Sequence, residues 1–125
     1  MNNDFLSLVI QALIIVESGG NNVAVGDGGK AVGCLQIHPI MVKEVNRICK
    51  LDGRQERFTL ADRKSRGKSK QMARIFFEHK YKIGNVKTAD PAEVQVRYLA
   101  YAWNRGGDKQ HGDKVWRAFC KLRKS

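Results

Sequence analysis

Acidic residues are scarce in this chain, with 12 Asp and Glu against 23 Lys and Arg and a formal net charge of +11. An excess of that size indicates an anionic partner, such as nucleic acid, a membrane surface or an acidic wall polymer. Cysteines are also few: an odd count of three at wide spacing excludes a disulfide framework and fits a reducing compartment. Cys34 and His38 lie close together without a second ligand pair, so we expect neither a metal site nor a cofactor.

No hydrophobic run in the sequence has the length of a transmembrane helix. The apolar stretch over residues 5–16 is shorter than the roughly 20 residues that a bilayer requires. The segment M-N-N-D before it lacks the positive charge of a signal peptide, and no small-residue cleavage site follows. We therefore expect a core helix, and a protein made in the cytoplasm without a signal peptide.

Glu17 ends this apolar stretch and is the first candidate for chemistry. Gly19 and Gly20 place it in the last turn of the predicted helix. Burial and the negative end of the helix dipole both disfavour a charged carboxylate, and that environment suits a general acid. The plainer interpretation is a solvated glutamate at a helix end. One apolar helical face leads up to it, formed by Phe5, Leu8, Val9, Ala12, Leu13 and Val16.

A glycine-dense segment follows at once and holds a second carboxylate, Asp27. Valines alternate there with small residues and flank the turn Gly26-Asp27-Gly28-Gly29, which predicts a short β-hairpin. Asp27 is either a cleft carboxylate facing Glu17 or an ordinary Asp-Gly turn residue. A phosphate-binding loop around Lys30 is disfavoured, because the Walker spacing and a preceding strand are both missing.

Helical periodicity accounts for most of the remaining chain. We predict helices over about residues 4–18, 39–49, 69–81 and 113–122. A further helix starts at Asp90-Pro91-Ala92-Glu93 and ends near residue 103. Asp4 and Asp90 are the expected N-caps. The predicted fold class is α+β, mainly α, in a single domain over residues 1–125, with helices around a cleft and a small β-hairpin.

The densest charge run covers residues 63–70, R-K-S-R-G-K-S-K. A run of this kind suggests a nucleic-acid patch, but no aromatic residues are interleaved with it for base stacking. We favour a solvated loop and helix start, with attraction to an anionic wall polymer or lipid surface as a secondary role. Nucleic acid is not an expected partner.

Four short motifs resemble those of the lysozyme-like soluble lytic transglycosylases and goose-type lysozymes. Glu17-Ser18-Gly19 resembles the family's E-S-x motif, and Gly33-Cys34-Leu35-Gln36-Ile37 resembles G-L-M-Q-[IV]. Trp103-Asn104-Arg105-Gly106 resembles A-Y-N-x-G, and Gly26-Asp27-Gly28-Gly29 is similar to the G-D-x-G segment of the goose-type enzymes. The order and rough spacing match across most of the chain, and the small size resembles a phage-encoded lysis or virion enzyme.

The resemblance implies a lysozyme-like fold and cleavage of the β-1,4 bond between N-acetylmuramic acid and N-acetylglucosamine in bacterial peptidoglycan. It makes Glu17 the general acid that protonates the leaving glycosidic oxygen. It places Gln36 in the substrate-binding wall, and Trp103 and Asn104 at the positions of the family's Tyr and Asn. The expected protein is a monomeric enzyme, made in the host cytoplasm, that acts on the cell wall after release or as a virion component.

The chain departs from the family pattern at three positions. Trp103 has no hydroxyl, so a hydrogen bond made by the family's Tyr is lost or comes from another group, for which Tyr101 is the candidate. Cys34 replaces the usual Leu as a neutral packing change. His38 stands where goose-type enzymes place an aspartate, which leaves Asp27 as the second carboxylate nearby.

Two mechanisms stay open at this point. An inverting hydrolase needs a base carboxylate about 6.5–9.5 Å from the acid, with a water between them, and Asp27 is the candidate. A lytic transglycosylase needs no second carboxylate, because the C6 hydroxyl of the substrate attacks while Glu17 acts first as acid and then as base.

A function of another class is also open: a basic binding module for nucleic acid or wall polymer on a lysozyme-like scaffold. The charge of +11 and the run over residues 63–70 motivate it. It predicts salt-sensitive binding to DNA or RNA. A glutamate at a buried helix end has no use in such a module, so we rank it second.

Overall fold

The computed structural model describes residues 3–105 and 109–124. That part of the chain is mainly helical with one small antiparallel sheet, which confirms the predicted class of α+β, mainly α. Short 3-10 turns occur at Asp27–Gly29 and Leu60–Lys64. The helices are α1 (Asn3–Ser18), α2 (Pro39–Leu51), α3 (Arg66–Lys82), α4 (Ala92–Trp103) and α5 (Lys109–Arg123), and the strands are β1 (Val25–Gly26) and β2 (Ala31–Val32).

Helix α1 packs against both α5 and α3. Ile10 and Ile14 are buried together with the main apolar face, as expected for a helix covered on most sides. The Phe5 ring meets the Phe119 ring of α5 edge-on, with 5.4 Å between ring centroids. The helix ends where Gly19 adopts a φ of +65°, a left-handed conformation that favours glycine.

Local capping contacts set the starts of α3 and α4. Helix α3 begins three residues earlier than predicted, because the Ser65 hydroxyl accepts the Lys68 N–H at 3.2 Å. Helix α4 begins at Ala92, and the Asp90 carboxylate accepts the Lys87 N–H at 2.9 Å in the preceding loop. The prediction that Asp90 caps α4 is therefore wrong.

Three other boundaries differ from the predicted ones. Asp4 lies inside the first turn of α1, so it is not the N-cap. Helix α2 continues two residues further than predicted, to Leu51. Helix α5 begins at Lys109, four residues before the predicted start. Each difference lengthens a helix whose apolar face had already been identified from its periodicity.

The predicted hairpin is confirmed but has only two residues in each strand. Val25 pairs with Val32 and Gly26 with Ala31, and the turn Asp27–Gly29 joins the strands. Val32 also exchanges backbone hydrogen bonds with Ile37, at 3.2 and 3.0 Å. The chain after the hairpin therefore folds back beside it before α2 begins.

Arg63, the first residue of the basic run, ties the hairpin to the rest of the molecule. Its Nη1 donates to the carbonyl oxygens of Lys30 at 2.9 Å and Ile37 at 3.0 Å. Its own carbonyl occupies the place that a Cβ on Gly33 would need. Arg63 is a structural residue, so the interpretation of the whole run as solvated is corrected at this position.

An aromatic cluster joins α3 and α4. Trp103 meets Phe76 and Phe77 edge-on, with 5.7 Å between ring centroids in each pair. Nearby, the Tyr81 hydroxyl donates to Gln95 Oε1 at 2.6 Å, and burial, with a smaller effect of the Asp90 charge, raises the pKa of Tyr81 to about 12. None of the helices in the described residues is long and apolar enough to cross a membrane.

Candidate active-site cleft

A cleft of about 500 Å³ opens where the end of α1, the hairpin turn, the start of α2 and the end of α4 meet. Its volume falls in the roughly 300–1,000 Å³ range of small-molecule sites. Residues from all four sequence motifs converge here, although they span positions 17–105 of the chain. The cleft is lined by Glu17, Asp27, Gln36, Ile37, His38, Met41, Trp103, Asn104 and Arg105.

Glu17 is sheltered within this cleft. Its side chain is 16% exposed, and it lies in the last turn of α1, at the negative end of the helix dipole. His111 of α5 approaches from another side, with Nε2 3.5 Å from Glu17 Oε1 and a side chain that is 13% exposed. The carboxyl group therefore faces a ligand-sized space from a mostly buried position, as the periodicity of α1 predicts.

Ser18 connects the helix end that bears Glu17 to the chain after the hairpin. Its hydroxyl donates to the Cys34 carbonyl oxygen at 2.8 Å and accepts the N–H groups of Gly20 and Asn21, each at 3.1 Å. Hydrogen bonds of this kind between a side chain and the backbone hold two segments in register. The serine of the Glu17-Ser18-Gly19 motif thus positions the glutamate relative to the opposite wall.

Gln36 forms part of that wall in a left-handed backbone conformation, with a φ of +49°. Its Nε2 donates to the carbonyl oxygens of Ala24 at 3.1 Å and Gly33 at 3.0 Å. Its Oε1 lies so near Gly26 that a Cβ there would be 2.5 Å away. The amide therefore holds the hairpin in place, a role that sequence reasoning did not assign to it.

Asp27 lies at the tip of the hairpin and pairs with His38. The distance from Asp27 Oδ2 to His38 Nε2 is 2.8 Å, with the two side chains 69% and 30% exposed. Asp27 has a φ of +50°, an uncommon conformation for a residue with a side chain. Gly28 and Gly29 follow, also with positive φ, so the tip turns tightly and directs the carboxylate back to the start of α2.

Sequence reasoning assigned no role to His38, which lines the cleft, or to His111, which lies beside Glu17. His38 directly follows the Gln36 motif, and that neighbourhood was the available signal for it. His111 lies on α5, and no local pattern connects it with Glu17. Only the packing of α1 on α5 brings the two side chains together.

The end of α4 supplies the remaining wall. Trp103 is 5% exposed, and its indole N–H donates to the Leu35 carbonyl oxygen at 3.2 Å, next to Gln36. Asn104 is exposed, and its backbone N–H donates to Ala100 as the helix ends. Trp103 thus contacts the segment after the hairpin through its ring N–H. Gly106, which follows Arg105 in this motif, lies outside the described residues.

Tyr101 occupies a different position. Its side chain is 56% exposed, and it is not among the described residues that line the cleft. The expectation that Tyr101 takes part in substrate binding, and replaces the hydroxyl missing from Trp103, is not supported by this position. Helical geometry gives the reason, because residues two apart on a helix face different directions.

Cys34, the cysteine in this region, packs as a neutral thiol. Burial, partly opposed by Arg66, raises the pKa of the Cys34 thiol above its ordinary value. Within residues 3–105 and 109–124, no group of three or more His, Cys, Asp and Glu side chains is arranged to hold a metal ion.

No protein-family model matches the chain, and neither a curated protein nor a solved structure matches it. A function must therefore be argued from the residues and their geometry, together with the motif resemblance.

Proposed function

We propose that this protein is a peptidoglycan glycosidase with a lysozyme-like fold, which cleaves the β-1,4 bond between N-acetylmuramic acid and N-acetylglucosamine. One observation carries the proposal: Glu17, 16% exposed at the end of a buried helix, opens into the cleft that also gathers Asp27, Gln36 and Trp103. Glycosidic cleavage needs a sheltered carboxyl group that protonates the leaving oxygen, and Glu17 has that position.

The residues around Glu17 support this role in different ways. Ser18 fixes the helix end, while Gln36 and Trp103 hold the opposite wall through hydrogen bonds to backbone carbonyl groups. A general acid must be held within hydrogen-bonding reach of the glycosidic oxygen, so a rigid cleft favours the reaction.

Two routes complete the reaction after Glu17 protonates the leaving oxygen. In a hydrolase, Asp27 acts as the base that activates water, and His38 holds the Asp27 carboxylate at the cleft. In a lytic transglycosylase, the C6 hydroxyl of the muramic acid attacks, and Glu17 then accepts the proton of that hydroxyl. Asp27 and His38 take part only in the first route, so their variants distinguish the two.

The wider setting of the proposed enzyme follows from charge and from the motif resemblance. A net charge of +11 favours association with the anionic bacterial wall. We infer a phage-encoded, monomeric enzyme that is made in the host cytoplasm and acts on the wall after release or as a virion component. The proposed reaction requires no cofactor.

The test is mass spectrometry of muropeptides released from purified peptidoglycan by the wild type and by Glu17→Gln. Glu17→Gln is expected to lower product release by at least about 100-fold while the fold is retained, because a general acid contributes 10²–10⁴ in rate. Glu56→Gln is the matched control, since Glu56 does not line the cleft. Reducing muramic acid ends identify a hydrolase, and anhydro ends identify a lytic transglycosylase.

Release of muropeptides by Glu17→Gln at the wild-type rate would overturn the proposal. Absence of any product from either protein would favour the basic binding module instead. The structure weakens that second function, because Arg63 and Arg66 of the basic run donate hydrogen bonds to backbone carbonyl groups. Such arginines are less available to a polyanion.

A further inference from the structure

A second cavity, of about 420 Å³, lies between α1 and α5, apart from the proposed active site. We call it the α1–α5 groove. Its lining contains apolar side chains from both helices and three cations from α5. The groove is lined by Ile15, Val16, Lys114, Arg117, Ala118, Lys121 and Leu122.

Several apolar side chains of the groove are exposed to water. Ile15 belongs to α1, yet half of its side chain (50%) is exposed at the groove. Ala118 and Leu122 of α5 are only partly buried beside it, because Val115 and Phe119 take the core positions of that helix. The groove therefore leaves apolar surface in contact with water, which favours an occupant with an apolar part.

The charged part of the groove has a single sign. Lys114, Arg117 and Lys121 lie along one side of α5 at intervals of three and four residues, and all three are exposed. Arg117 Nε also donates to the Asp113 carbonyl oxygen of the same helix, at a long distance of 3.4 Å. They span about 10 Å of helix, at roughly 1.5 Å per residue. Among the described residues that line the groove, none has a carboxylate. An anionic occupant is therefore electrostatically favoured.

We propose that the α1–α5 groove is a docking surface for a bilayer that contains anionic phospholipid. A bilayer offers a plane of negative headgroups above an apolar layer, and the groove has its cations on one side and Ile15 and Leu122 beside them. Lysine and arginine stems lie along apolar surface while their charges stay at the level of the phosphates.

Other anions fit the groove less well. Nucleic acid and wall polymer present polar backbones and no acyl chains to cover Ile15. Among the described lining residues none is an aromatic that could stack on a base. An acidic helix of a protein partner would be held best by cations on both sides of the groove, whereas the cations here all come from α5. Absence of binding to either kind of vesicle in the test below would favour these alternatives.

The test is cosedimentation of the full chain with vesicles of phosphatidylglycerol and phosphatidylcholine in equal parts, and with vesicles of phosphatidylcholine alone. We expect binding to the anionic vesicles only. The double variant Lys114→Gln/Arg117→Gln should weaken it by about 30-fold, because each cation near an anionic surface contributes about fivefold. The matched control is Lys43→Gln/Lys50→Gln, which removes the same charge from exposed positions on α2.

Two outcomes would overturn the proposal. One is equal weakening by both double variants, which would mean that net charge alone causes the binding. The other is wild-type binding to anionic vesicles that is no stronger than binding to the neutral ones, or that is absent from both. A second variant, Ile15→Ser, tests the apolar part: it should lower the binding that remains at high salt, where charge is screened.

The groove proposal is independent of the proposed enzyme activity. Lys114 and Arg117 do not line the cleft, so Lys114→Gln/Arg117→Gln should release muropeptides from membrane-free peptidoglycan at the wild-type rate. Loss of vesicle binding with retained muropeptide release supports the groove. Failure of Glu17→Gln to affect muropeptide release would leave the vesicle result unchanged.

Discussion

At the scale of single residues, the two carboxylates of the cleft differ in environment. Glu17 is 16% exposed, whereas Asp27 is 69% exposed and pairs with His38. Proteins that use two carboxyl groups for glycosidic cleavage place them in unlike surroundings so that one acts as acid and the other as base. The cleft has this asymmetry, which makes the role of Asp27 testable by substitution.

If the proposed activity is that of a hydrolase, Asp27→Asn should lower kcat by about 100-fold, because a general base contributes at least that much. His38→Phe should lower kcat by a smaller factor, about tenfold, with KM nearly unchanged, since it removes only the hydrogen bond that orients Asp27. The measurement is the steady-state rate of product release from soluble glycan fragments, followed by mass spectrometry so that reducing and anhydro ends are both counted.

The double variant Asp27→Asn/His38→Phe supplies the internal control for this pair. If His38 acts through Asp27, the double variant is no slower than Asp27→Asn alone. Tyr101→Phe, which changes an exposed residue outside the cleft, should behave like the wild type. Normal rates in both Asp27→Asn and His38→Phe would assign the reaction to the lytic transglycosylase route.

At the scale of elements, a hairpin with two residues in each strand is too short to be stable by itself. It persists because neighbouring groups hold it: Arg63 bonds to Lys30 and Ile37, Gln36 bonds to Ala24, and Ser18 bonds to Cys34. The wall of the cleft is therefore as stable as these contacts. A substitution is least tolerated at Gly33, where the Arg63 carbonyl leaves no room for a side chain.

Gly33→Ala should lower the free energy of unfolding by more than about 2 kcal/mol, because the added Cβ collides with backbone and the φ of +90° disfavours a side chain. Gly28→Ala is the matched control. It also has a positive φ, but a Cβ there meets nothing within 4 Å, so its cost should stay near 1–2 kcal/mol. Urea denaturation followed by circular dichroism measures both values.

Equal unfolding free energies for the two glycine variants would mean that the Arg63 carbonyl can move away at little cost. In that case the close approach of the Arg63 carbonyl to Gly33 would not fix the position of the hairpin. A second readout is muropeptide release, which should fall further in Gly33→Ala than in Gly28→Ala, because the collision displaces the wall that bears Gln36.

At the scale of the whole molecule, the excess of positive charge acts over distances longer than any single contact. Long-range attraction between unlike charges is screened by salt, with a Debye length of about 10 Å at 0.1 M. A polyanionic wall should therefore attract this protein most strongly at low ionic strength, whereas chemistry inside the cleft depends on local contacts.

We expect the lysis of whole cells to slow by about tenfold or more as ionic strength rises from low to above physiological, since steered association falls steeply with salt. Turnover of small uncharged glycan fragments should change by less than about twofold over the same range. Turbidity loss of cell suspensions and fragment release measure the two rates in parallel. A similar salt dependence for both substrates would place the effect in the cleft and contradict the steering explanation.

Much of the fold could be predicted from the chain itself because it depends on local patterns. The helical periodicity of residues 5–16 identified α1 and its burial, and Gly19 and Gly20 identified its end beside Glu17. The turn glycines identified the hairpin. Helix starts were less predictable, because Asp90 and Ser65 could each form a cap or a loop contact, and neighbouring backbone decided between them.

The features of the cleft also divide into those that depend on nearby residues and those that depend on distant ones. The sequence by itself determined that Glu17 ends a buried helix, that Asp27 lies in a tight turn and that Trp103 ends another helix, since each depends on nearby residues. Only the tertiary structure decided that Asp27 pairs with His38 and that His111 approaches Glu17. The physical reason is that these contacts depend on how helices and hairpin pack together, and the relative orientation of distant segments is not encoded in any local pattern.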